Sequence, residues 1–81
     1  MTQKYKTKNN TNICVGNKIR ILRKKYKKSQ KEIGDLLNIS QQQMVKYENG
    51  ISSINIEKLM ELLLYFKSLG AEIDLNYFMT N

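Results

Sequence analysis

The chain has 81 residues, 41% of them hydrophobic, which suffices for one domain with one modest core. It contains no His, no Pro, no Trp and one Cys, so zinc-ligand sets, the usual general base and the usual nucleophile pairs are missing, and neither enzyme activity, a metal nor a cofactor is expected. The formal charge of +7 is segregated: 11 of the 14 Lys and Arg lie at or before Lys31, where no acid occurs, while from Glu32 onward three bases face seven acids, a balance of −4. Such a molecule is suited to lay its basic side on a polyanion, nucleic acid or an anionic membrane.

Residues 1–11 read as a basic flexible tail, in which Lys4, Lys6 and Lys8 alternate with polar residues and Tyr5 without helical periodicity. A solvated arm is the plain reading, and an arm that follows a phosphate backbone or a minor groove is the sharper one. The opening MTQKYKTKNNTN is polar throughout, unlike a secretory signal, and no apolar run is long enough to span a membrane. Cys14 has no second cysteine to pair with and reads as a small buried thiol.

A first helix is predicted from about Asn12 or Ile13 to Lys27. Ile13 or Val15, Ile19, Leu22 and Tyr26 recur at intervals of three and four as its core stripe. Lys18, Lys24, Lys25, Lys27 and Lys28 lie around the outside, with the cationic end at the C-terminus. Ser29 and Glu32 have capping-box spacing and predict a second helix. Gln30 then sits in the first turn, where helix amides and a side-chain amide together hold a phosphate oxygen. Ile33 and Leu37 share one side of this helix, and Gly34 lets the next helix cross at close range. Asn38 tolerates the left-handed conformation that ends a helix. Ile39 turns back to the core, and Ser40 is a good N-cap for a third helix.

That third helix, Gln41 to about Glu48, divides cleanly at about 100° per residue. Met44 and Tyr47 fall on one side with Glu48 at the edge; Gln41, Gln42, Val45, Lys46 and Asn49 fall on the other, where no acid occurs. Amides, an ammonium and a small apolar group are what base edges are read with. The plain alternative is a glutamine-rich surface helix, against which the turn grammar before it counts. Asn49-Gly50 ends the helix with a positive φ. Ser52 and Ser53 in the following loop carry hydroxyls able to reach a sugar-phosphate chain. Asn55 caps a fourth helix, NIEKLMELLLYFKSL, with a core stripe of Leu59, Leu62, Leu63 and Phe66. Met60, Leu64 and Tyr65 lie away from that stripe, and this apolar surplus fits a dimer interface. Ile73, Leu75, Tyr77 and Phe78 close the chain, in a short helix from near Asp74.

VGNKIRILRKK, SQKEIGDLLNIS and QQQMVKYENG together resemble the Cro and lambda-repressor type of helix-turn-helix domain, the Xre-like family, over about Val15 to Phe78. The Gln-Gln-x-x-x-Lys-Tyr-Glu-x-Gly ending resembles small alphaproteobacterial regulators. Two departures stand out: Asn38 occupies a position where the family often has Gly, and the stretch from Leu59 to Phe78 runs a few residues longer than usual. The resemblance implies an all-α, compact bundle of about five helices over residues 12–81, with the helix-turn-helix unit at 30–50. It implies a transcriptional regulator that binds double-stranded DNA as a homodimer, with helix 41–48 in the major groove. Gln41, Gln42 and Lys46 are the expected base readers, with Gln43 and Val45 secondary. Gln30, Lys31, Asn49, Ser52 and Ser53 are the expected phosphate contacts, Gln30 also buttressing Gln41. The resemblance further pairs Arg23 with Glu48, which at the core edge of its helix needs a partner. No small-molecule ligand is expected, and the expected location is the cytoplasm, on the nucleoid when bound. The alternative function is an antitoxin-like module that binds a partner protein as well as its own operator. A membrane-surface protein has no need of a helix-turn-helix.

Overall fold

The computed structural model describes residues 10–80. The elements are α1 (Asn10–Lys25), α2 (Gln30–Leu37), α3 (Gln41–Glu48), α4 (Ile56–Ser68) and α5 (Leu75–Met79), with no strand among the described residues. The starts of α2, α3 and α4 are set by side chains. The Ser29 and Ser40 hydroxyls and the Asn55 amide oxygen accept from the backbone N–H of Glu32, Gln43 and Lys58, at 2.9, 3.1 and 2.8 Å. Each such cap contributes about 1 kcal/mol. At α2 the capping box is complete: the Ser29 N–H donates back to Glu32 Oε1 at 2.8 Å. That backbone bond, reinforced by the Ser29 hydroxyl, holds the Glu32 carboxyl below its ordinary value.

The ends of α1 to α4 share one device. In each, a residue with positive φ just past the helix lets two N–H groups reach back to the last carbonyls, the Schellman pattern. The residues are Lys27 (φ 57°), Asn38 (φ 60°), Gly50 (φ 74°) and Gly70 (φ 108°). At α1, Lys28 N–H donates to Arg23 O at 2.9 Å and Lys27 N–H to Lys24 O at 3.1 Å. At α3, Ile51 N–H donates to Lys46 O at 2.9 Å and Gly50 N–H to Tyr47 O at 3.2 Å. The left-handed Lys27 is why α1 ends at Lys25, two residues before the end that periodicity suggests. At its other end α1 already includes Asn10 and Thr11, assigned by sequence to the tail; the rest of that tail, with Lys4, Lys6 and Lys8, lies outside the described residues.

One apolar core joins the helices. Val15, Ile19 and Leu22 of α1 meet Ile33 and Leu37 of α2, Met44 of α3 and Leu59, Leu62, Leu63 and Phe66 of α4, with Ala71 and Phe78 closing it. Each large side chain buried there contributes roughly 1.5–3 kcal/mol. Phe66 sits at the centre, with Tyr26 tilted against it at 5.8 Å and Tyr65 edge-on at 5.4 Å between ring centroids. Tyr65 is therefore half-buried on the core, not part of the free apolar surface assigned to it from the helical wheel. Periodicity leaves Ile13 and Val15 as alternatives for the first core position; Val15 is the buried one. Two polar ties complete the frame. Lys58 Nζ donates to Leu37 O at 3.0 Å, and the half-buried Cys14 thiol donates to Thr80 O at 3.1 Å. Among the described residues no helix is long and apolar enough to cross a membrane.

Candidate nucleic-acid interface

α3 packs on both α1 and α2, and α1 grips its C-terminal turn. Gly16 has α3 backbone where a side chain would be: a Cβ built there would lie 2.3 Å from Tyr47 O and 2.7 Å from Glu48 O. The same turn is fixed by Glu48, which is 1% exposed and is the buried charged residue among the described residues. Arg23 Nε donates to Glu48 Oε2 at 2.7 Å and Arg23 Nη2 to Oε1 at 3.1 Å, a two-pronged, charge-assisted contact. The remaining Arg23 nitrogen donates to Lys28 O at 3.0 Å, so one guanidinium ties the α1–α2 turn to α3. Gln30 Nε2 adds a third donor to Glu48 Oε1 at 3.2 Å. Among the described residues no buried side-chain polar atom lacks a hydrogen-bond partner. This full satisfaction is the condition under which a buried charge is tolerated.

With Met44 and Glu48 facing the core, the opposite side of α3 faces outward. Gln41, Gln42 and Lys46 are exposed there, and Val45 is half-buried. Gln43 is half-buried at the far edge. Asn49 is exposed just beyond the helix; Ser52 and Ser53, half-buried and exposed, follow in the loop before α4. Gly34 lies under the α2–α3 turn, where an added Cβ would sit 3.1 Å from Ile39 O and 3.5 Å from Met44 Cγ. Gln30 takes the first position of α2. Its side-chain amide turns to Glu48 and makes no hydrogen bond with Gln41, so the buttress expected between the two glutamines is absent. Lys31 is exposed, its Nζ 3.0 Å from Asp35 Oδ2. An exposed pair of this kind is worth about 0.2–1 kcal/mol.

Three contributors were not singled out from sequence. Gly16 and Arg20 are two; their signal was available, since Gly16, Arg20 and Arg23 at i, i+4 and i+7 share one helical face. Arg20 Nη2 donates to Glu48 O at 3.2 Å and to Asn49 Oδ1 at 2.6 Å, and its Nε lies 3.6 Å from Glu48 Oε1. The third is Lys58, whose bond to the end of α2 leaves no trace in sequence spacing.

No match was found among curated proteins or among solved structures. Residues 19–70 match the family described as helix-turn-helix, a span that contains α2, α3, α4 and the second half of α1. With that match and this geometry, the chain belongs to the Xre, or lambda-repressor, type of helix-turn-helix family and is a DNA-binding helix-turn-helix domain.

Proposed function

We propose that the protein is a small transcriptional regulator that places the outer face of α3 in the major groove of duplex DNA. The observation that carries this is the division of α3. One side is locked to α1 by Glu48, while the other presents Gln41, Gln42 and Lys46 outward with no acid among them. Gln bonds adenine in a bidentate way, Lys reaches guanine or phosphate, and Val45 touches a thymine methyl. Phosphate contacts come from Gln30 and Lys31 at the start of α2 and from Asn49, Ser52 and Ser53 after α3; they set register without reading sequence. A homodimer on an inverted repeat follows from the outer side of α4. Ile56, Met60 and Leu64, at i, i+4 and i+8, are 59, 37 and 62% exposed and form an apolar stripe.

Selection from random duplexes should return a preferred site. With roughly five phosphates neutralised per subunit, binding to that site should weaken with salt at a log–log slope of about −4 to −5 per subunit. A nearly flat salt dependence contradicts the assignment. The α4 stripe also favours a second reading, an antitoxin-like module that covers a partner protein. Sedimentation separates the two: a dimer without any partner supports the regulator, and a monomer that dimerises neither alone nor on DNA supports the module.

A further inference from the structure

We infer that α4 pairs with α4 of a second copy in an antiparallel sense, with Leu64 of each copy beside Ile56 of the other. The inference rests on the homodimer reading above and adds to it a direction and a register. Charge sets the direction. Ile56, Met60 and Leu64 span roughly 12 Å of helix at about 1.5 Å per residue. Glu57 and Glu61 lie beside this stripe, and Lys67, which at about 100° per residue falls in direction between Ile56 and Met60, continues it one turn past Leu64. All three charges are exposed, and none makes an ion pair or side-chain hydrogen bond with another described residue. A parallel pair would set Glu57 against Glu57 and Lys67 against Lys67. An antiparallel pair turns Glu57 toward Lys67 of the second copy, twice by symmetry. The helix dipole also favours acids at the start of α4 and a base at its end, but it gives no reason for the apolar stripe between them.

Shape sets the register. Ile56 belongs both to the stripe and to the rim of a groove of about 230 Å³, whose apolar lining includes Val15, Ile54, Leu59 and Met79. With the two Met60 side chains at the crossing, Ile56 and Leu64, each four residues from it, come opposite each other across the twofold axis. Leu64, at 62% the most exposed large apolar side chain among the described residues, then meets the mouth of the groove in the second copy. The contact is isologous, so the knob and the hole are each used twice.

The test is sedimentation equilibrium of the full chain at low salt over a range of concentrations, alone and with the duplex that selection returns. Thermal melting checks that each variant folds. Glu57→Lys and Lys67→Glu should each weaken dimerisation by about tenfold, because two attractive pairs become two repulsive ones. An equimolar mixture of these two variants should associate about as tightly as wild type, because each mixed dimer restores both pairs. Leu64→Ala, which keeps every charge, should weaken dimerisation by at least about tenfold. Folded charge variants that dimerise like wild type overturn the register. So does recovery of Glu57→Lys by mixing with wild type instead of with Lys67→Glu, which is the outcome of parallel pairing. A folded Leu64→Ala protein that dimerises unchanged overturns the α4 face and leaves the dimer standing on another surface. Wild type that is monomeric both alone and on DNA overturns the homodimer reading and this inference together, and assigns the stripe to another protein.

Discussion

The junction of α1 with α3 and the junction of α4 with the core are built from opposite materials. Around α4, Leu59, Leu62, Leu63 and Phe66 bury apolar surface against Tyr26, Phe78 and the α1 stripe. At the end of α3, Gly16 brings backbones together, and Arg23, Gln30 and Glu48 meet through charge-assisted bonds of 2.7–3.2 Å. Apolar burial is non-directional and scales with area. Hydrogen bonds to a carboxylate depend on angle and fix geometry as well as energy. The helix whose rotation decides which side chains face outward is thus the one held by directional bonds.

The strongest way to break this comparison is to remove one member from each junction. Glu48→Ala or Arg23→Ala leaves a charge stranded and should destabilise by about 3–5 kcal/mol, against about 5 kcal/mol for the whole domain. Phe66→Ala should cost a similar amount, about 3–5 kcal/mol, through a cavity. The two then part. Arg23→Met with Glu48→Leu should restore most of the loss in urea denaturation, whereas no single neighbour refills the Phe66 site. If the double replacement is as unstable as Glu48→Ala, the junction is held by something other than the pair.

Gly16→Ala tests the backbone approach without touching a charge. Its Cβ would be placed 2.3 Å from Tyr47 O, so α1 and α3 must separate, at about 1–3 kcal/mol. Sequence discrimination should fall with stability, which binding to the selected and to random duplexes would show. A smaller effect of opposite sign is expected at Lys27, exposed and left-handed at φ 57°. Lys27→Gly relieves that conformation and should raise stability by about 1 kcal/mol. The smallest effect concerns Glu32. Its carboxyl is lowered in the folded state, so its contribution is present above the unfolded value and lost as pH falls through the folded one. Wild type and Glu32→Gln should therefore differ in stability at neutral pH by more than they do in acid.

The fold was legible where local chemistry decides it. The capping residues Ser29, Ser40 and Asn55 act within four residues of themselves, so the starts of α2, α3 and α4 follow from sequence. The left-handed Asn38 and Gly50 were legible for the same reason. Lys27 was not, because nothing about a lysine among lysines requires positive φ; the Schellman bonds of α1 impose it. Periodicity placed Glu48 at the core edge of α3 but did not show it almost fully buried, which depends on α1 passing over it. The partners of Arg20 on α3 and its cap, Glu48 and Asn49, lie 28 and 29 residues away, a separation no local pattern reports. The outward group Gln41, Gln42, Val45 and Lys46 was readable because one helix carries it; its contact with DNA is a proposal that rests on that face.

Gln42 tests the central claim most directly, since it is exposed on α3 and unconnected to the Glu48 junction. Affinity of wild type and Gln42→Ala should be measured on the selected duplex and on random duplex at the same salt. Gln42→Ala should lose about 1–3 kcal/mol on the selected site and almost nothing on random DNA. Equal losses on both, or none on either, would contradict the assignment of α3 as the helix that reads sequence.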